Sequence, residues 1–245
     1  MKLHCPPISA GEHRSALRRV ALTLLAVPLL ASCGVTSRME PYKQTNAVIG
    51  DGEQVVLLAR KHHSNREAEQ EFINCLSDSL ARGSNGLAVH SSTDFEDRMY
   101  PWFEPSMAPL STDDLSALLE KPGVMDQVKD TGVRFVIWLD GSTDRVASGG
   151  GITCAAGVGG AGCMGLAWWE DDARYDATIW DITELSAAGT IHADVKGRSV
   201  MPAIVIPLPF IARPQAAACR GLTEQIRQFM TTPDGYGAGP NRELG

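Results

Sequence analysis

The apolar run nearest the N-terminus, Val20–Leu30, has about half of the roughly 20 residues that a membrane-spanning helix needs, and no second candidate span follows it. Basic charge is also in short supply. With 22 Lys+Arg against 29 Asp+Glu, the formal net charge of −7 repels nucleic acid and anionic headgroups, so nucleic acid is excluded as a partner. No G-x-S-x-G elbow presents a nucleophile on a strained turn, and no internal repeat is present. Aromatics make up only 6% of the chain, yet hydrophobic residues reach 44%, enough to bury one core.

What stands at the N-terminus is an address. Lys2, Arg14, Arg18 and Arg19 precede the apolar run, and Leu30-Ala31-Ser32-Cys33 closes it, the three-part order of a secretion signal. Leu-Ala-Ser-Cys resembles the lipobox of bacterial lipoproteins. The resemblance implies cleavage before Cys33, a diacylglycerol thioether on its sulfur and an acylated new N-terminus. Gly34 in the next position resembles the pattern of lipoproteins sent on to the outer membrane. Removing residues 1–32 leaves 18 Lys+Arg against 28 Asp+Glu, so attachment must come from the lipid, and several acyl chains make such an anchor stable.

The sequence divides into a signal (1–32), a lipidated flexible tether (33–52), an α/β domain (53–230) and a disordered tail (231–245). Val55–Ala59 is a continuous apolar run, the mark of a strand covered on both faces. A helix follows, capped by Asn65, with Glu67 and Glu69 at its positive end and Phe72, Cys75, Leu76 and Leu80 on one side before Gly83. Gly86–His90 is a second strand, parallel to the first through a right-handed crossover. Tyr100–Pro109 is an ordered proline-rich loop. Ser111-Thr112-Asp113-Asp114 caps a further helix, and Val133–Leu139 is the central strand. Tyr175–Ile182 and Thr190–Val200 form a hairpin, and Gln215–Met230 the last helix.

This order, with the phrases Gly-Val-Arg-Phe-Val-Ile-Trp-Leu-Asp-Gly and Tyr-Asp-Ala-Thr-Ile-Trp-Asp-Ile, resembles the periplasmic α/β domain of curli-secretion-channel lipoproteins. Penicillin-binding-protein-activator lipoproteins and the N-terminal domain of the Tol-system propeller protein share that domain. The resemblance covers roughly residues 53–230. It implies a single α/β (α+β) domain with a mixed five-stranded sheet, order β-α-β-α-β-β-β-α, helices mainly on one face, and a binding or assembly role with no shared catalytic residue.

Four cysteines remain after export: Cys75, Cys154, Cys163 and Cys219, which permit three pairings. Cys154 and Cys163 enclose only small residues, and in an oxidising compartment they are expected to join, leaving Cys75 with Cys219 on two helix stripes. Two buried free thiols at the latter pair, or a zinc site from Cys154, Cys163 and His62 or His63, are the alternatives. Gly157, Gly159 and Gly162 fit G-x-G-x-x-G, but cysteines flank them, and a glycine-rich structural loop is the expectation. A membrane-inserting hairpin over Ser148–Trp169 would need about 9–11 residues per strand with an apolar face, and this segment barely has the length and lacks alternation.

Among the histidines, His62-His63 follows the first strand, where α/β proteins often bind ligands. Asp140-Gly141 reads as a turn and Glu170-Asp171-Asp172 as a solvated turn. Met201–Pro214, with four prolines, is unlike a central strand. Trp168, Trp169 and Phe210 are the candidate partner surface. The sequence thus points to a non-catalytic, lipid-anchored envelope protein with no cofactor, bound to the membrane through Cys33 and to another envelope protein. The alternative is a small-ligand binder or hydrolase using His62-His63.

Overall fold

Apolar side chains alternate to both sides of the Val133–Leu139 backbone, and in the computed structural model this segment lies inside the sheet with helices over both of its faces. Residues 34–59, 68–103, 107–158 and 160–232 are described. In chain order the elements are β1 (Val35–Lys43), β2 (Gln54–Ala59), α1 (Gln70–Ala81), β3 (Val89–His90), α2 (Ser92–Arg98), α3 (Thr112–Leu119), α4 (Val124–Thr131), β4 (Val133–Gly157), β5 (Gly160–Asp181), β6 (Ser186–Pro207) and α5 (Pro214–Thr231). They make one mixed α/β sheet, order β1-β6-β5-β4-β2-β3. β2 runs parallel to β3 and β4, while β4, β5, β6 and β1 form an antiparallel series.

Six strands replace the expected five. The additional one is β1, in the segment expected to be a flexible tether, and it pairs along its whole length with β6, from Val35–Gly197 to Lys43–Gly189. Alternate residues of β1 are half-buried, and Met39 packs against Gly221 of α5. Period-2 burial with a full hydrogen-bond ladder gives the segment a structural role that its polar composition conceals. The signal segment, Cys33, His62, His63, the Asn65 cap with Glu67, and positions 233–245 of the tail lie outside the described residues.

The helices cover both faces, another departure from expectation. Val55, Leu57, Phe135, Ile137 and Leu139 pack with Tyr175, Ile179 and Ile191 under α1 and α5. Val56, Leu58, Val136 and Trp138 pack with Trp180 under α2, α3 and α4, around Phe95, Phe103 and Leu115. Continuous apolar runs in β2 and β4 require this, because each strand would otherwise expose one row of large side chains.

Local chemistry sets the helix ends. Ser111 Oγ accepts from the Asp114 amide at 3.1 Å while the Asp114 carboxylate accepts from the Ser111 amide at 3.1 Å, a capping box. Pro214 opens α5 where its missing N–H costs nothing. Cys75 of α1 is bonded to Cys219 of α5 (Cα–Cα 6.4 Å), tying the two helices of one layer together. Arg134 bridges Asp181, which is fully buried, and Glu53, with Nη contacts of 3.0 and 2.8 Å. These two carboxylates hold the guanidinium above its ordinary pKa against the opposing effect of burial.

Candidate functional site

β4, β5 and β6 run far past the helical layers. From Val146 to Trp169, and again from Ser199 to Ala212, the chain has no Asp, Glu, Lys, Arg or His. These stretches form a projecting arm of three paired strands, in place of the expected glycine-rich loop, with Met201–Pro207 as its bordering strand rather than a central one. At about 3.4 Å per residue, Gly160–Trp169 alone reaches roughly 30 Å.

Sequence-local features shape the arm. A bulge between Arg145 and Ala147 marks its start, where the partner strand carries Glu170 and Asp171. Gly150 sits at φ +83°, and a Cβ there would fall 2.0 Å from the Leu166 carbonyl oxygen, so only glycine lets the strands meet. Beside it, the Trp168 indole lies over Gly149, filling space a side chain would occupy. Pro202 is tolerated within β6 because that strand borders the arm: the neighbouring Val200 turns its N–H and C=O outward to Phe210 rather than to β5. Cys154 and Cys163 stand directly opposite each other, 4.0 Å apart at Cα, and are bonded.

Both faces are apolar. On the face away from α1 and α5, Trp168, Leu166 and Met164 pair with Val200, Pro202 and Ile204. Met164 is 76% exposed and Ile204 80%. The opposite face carries Trp169, Ala167, Ile152, the disulfide and Val205. Period 2 thus places Trp168 and Trp169 on opposite faces at the same height.

Charge reappears sharply at the base. Arg145 Nε donates to Asp171 at 3.0 Å, Arg198 Nε to Glu170 at 2.7 Å and Arg174 to Asp172 at 2.8 Å. Hence Glu170-Asp171-Asp172 is not a turn but a paired segment of β5. The Arg145 and Arg198 guanidiniums also stand 5.3 and 5.7 Å from the Trp169 and Trp168 rings. Below this belt the open face of β5 and β6 is polar, with Arg174, Asp176, His192, Asp194 and Lys196. The His192 imidazole meets Asp176 at 2.6 Å there.

The remaining polar groups serve the fold. Asp140-Gly141 lies within β4, not at a turn, and a Cβ at Gly141 would fall 2.1 Å from the Arg174 carbonyl oxygen, so only glycine fits there. Tyr175, 1% exposed and stacked on Phe72, donates to Glu69 at 2.6 Å and contacts Thr143 at 2.9 Å. Burial first, then the Glu69 carboxylate, push its phenol well above the ordinary value, so it is a donor that ties α1 to the sheet. His90 contacts the Ser91 carbonyl and the edge of Phe95. Among the described residues no three His, Cys, Asp or Glu side chains converge on a metal position, and no helix is long and apolar enough to cross a membrane. The grooves are open and shallow, one along Trp102, Pro109 and Leu118 and one at the arm tip beside Val205.

Phe210 is exposed at 42% and its backbone borders β6 through Val200, while Trp168 and Trp169 are half-buried at the base. The structure therefore gathers all three into one arm, although the sequence signal for that arm is only the absence of charge. The chain matches no protein-family model and no curated protein. Among solved structures it is similar to two of the PelC dodecamer from Paraburkholderia phytofirmans, the first of them a single-residue variant. Each is 10% identical with a TM-score of 0.35, and 80% of this chain covers 99% and 98% of those chains.

Proposed function

We propose that this is a non-catalytic envelope protein, lipid-anchored at Cys33 on the periplasmic side of the outer membrane, that assembles with another envelope protein or further copies of itself. The observation that carries the reading is the arm: apolar on both faces and open at one edge. Beyond Leu139 no strand among the described residues pairs with the side of β4 opposite β5. Such an edge is a template for another chain's strand. The open grooves along Trp102 and beside Val205 suit a docking protein better than the deep pocket with converging polar groups that a small-ligand binder or enzyme uses. A photoreactive residue at Thr153, on the outer strand of the arm, should yield protein adducts in intact cells. Cys33→Ala should abolish both fatty-acid labelling and those adducts. Unchanged labelling in Cys33→Ala rejects the anchor, and a Thr153 probe that captures no protein rejects the assembly.

A further inference from the structure

Of the two disulfides, the one in the arm has no core to support, and we infer that it is a redox latch: closed, it orders the β4 edge for strand pairing, and open, it lets that edge fray. The inference rests on the assembly read above and says what controls it.

The base of the arm needs no crosslink. Arg145 is paired with Asp171, Trp168 covers Gly149, and the bulge between Arg145 and Ala147 fixes the register there. Beyond Gly151 those supports end. Six pairs remain, from Ile152–Gly165 to Gly157–Gly160, and their twelve residues include four glycines and three alanines, which favour strands poorly and offer little cross-strand contact. Glycine-rich strands also specify their register weakly. β6 adds little at the tip, because its pairing with β5 begins at Cys163–Val205 and leaves Gly160–Gly162 with β4 alone. A two-stranded ribbon is marginal in water even with better residues. Cys154 and Cys163 stand opposite each other within these six pairs, so their bond forbids slippage and holds both strands in one register.

Placement also makes the bond exchangeable. Cys154 is exposed and Cys163 half-buried, whereas Cys219 is 1% exposed, inside the core beneath α5. Access to sulfur governs thiol–disulfide exchange, so a dithiol oxidoreductase reaches the arm pair first. Its thiolate attacks Cys154 Sγ, the S–S bond breaks, and Cys163 leaves as a thiolate that takes up the proton the attacking thiol gave up. The second thiol of the oxidoreductase then attacks the mixed disulfide, passes its proton to Cys154 and departs as a disulfide, so two electrons have entered the cystine. The reverse sequence, from an oxidised partner of the same class, closes the latch. In a reducing cytosol the pair stays open, and in an oxidising compartment it closes. An ordered open edge is an aggregation hazard. The latch thus withholds the edge until the chain has been exported.

The test treats the full chain with dithiothreitol, traps the freed thiols with a maleimide and maps them by peptide. Cys154 and Cys163 should be freed at least about tenfold faster than Cys75 and Cys219, as their access to solvent requires. Hydrogen exchange at the amides of Ile152–Gly157 should then rise roughly 50–100-fold, the local effect of opening a closure of this length. Val133–Leu139 should stay protected, and the near-UV circular dichroism from Trp138 and Trp180 should stay native. In intact cells the photoreactive residue at Thr153 should give several-fold fewer protein adducts in Cys154→Ala/Cys163→Ala than in the natural chain, with the same near-UV circular dichroism in both. Release of the arm pair no faster than that of Cys75–Cys219, or tip exchange unchanged by reduction, overturns the inference. An adduct yield that the double variant leaves unchanged also overturns it and keeps the assembly standing, whereas a natural chain without adducts removes assembly and latch together.

Discussion

The two disulfides should differ sharply in what they do for the fold. Cys75–Cys219 closes a loop with a sequence separation of 144 and joins α1 to α5 inside the main core. In the chain-entropy treatment such a crosslink contributes about 5 kcal/mol, a third or more of the stability of a typical domain. Cys154–Cys163 spans a separation of 9, for which the same treatment gives about 2.5 kcal/mol. That smaller figure should not reach the global transition at all, since neither buried cluster contains a residue between Val146 and Glu170. The arm can open as a local unit while the sheet below it remains folded. Urea unfolding followed by the emission of the buried Trp138 and Trp180 tests this. The Cys75→Ala/Cys219→Ala variant should lose about 5 kcal/mol, or about 10–20 °C in Tm at 2–4 °C per kcal/mol. Cys154→Ala/Cys163→Ala should lose less than about 1 kcal/mol, the scale of a surface change. Equal losses in the two variants would refute the reasoning, because they would make the arm part of the cooperative core.

Two further outcomes follow from the buried polar groups. Asp181 accepts from Arg134 Nε and Nη2 and from the amides of Thr183 and Glu184. Asp181→Ala should therefore cost about 3–5 kcal/mol in urea unfolding, and a second change, Arg134→Met, should recover part of it; a loss under about 1 kcal/mol would show the site is well solvated. For Tyr175 the folded pKa lies above the unfolded value of about 10, so its contribution is intact below about pH 10 and is lost as pH rises through the folded value. The phenolate absorbance difference between the natural chain and Tyr175→Phe should then appear only as the protein unfolds, and its appearance at pH 10 with native near-UV circular dichroism would contradict the burial argument.

The helical half of the fold is readable in the sequence because its signals are local. Ser111–Asp114 caps a helix with its own side chains, Pro214 begins one, and Val133–Leu139 is apolar on both sides because helices lie on both sides. The continuous runs at β2 and β4 already imply helices on two faces, which the single-faced expectation overlooked. The cysteine pairs follow from a tight loop of small residues and from two helix stripes. The arm is different. Alternation of apolar and polar residues arises only when one face of a strand is wet and the other dry, so an element with no charged face has none to display. Its glycines and prolines, ordinarily loop markers, are accommodated by Trp168 over Gly149 and by the outward-facing position of Pro202. β1 was hidden for the converse reason: its inward residues include Ser37 and Lys43, and its pairing partner lies at the other end of the chain.

The pairing of β1 also determines how the protein bears load. Its first residue, Val35, lies beside the arm base, and its last, Lys43, reaches the far end of the sheet, where the ammonium donates to the Thr232 and Phe229 carbonyls at 2.8 and 3.1 Å. A pull on Cys33 in the direction of the arm acts along the strand axis. It loads the whole β1–β6 ladder in shear, so the hydrogen bonds must yield together, whereas a pull across the strands would peel them one after another. The segment joining the domain to Cys33 thus acts as a rivet rather than a leash, and tension there is passed directly to β6, the strand that continues into the arm.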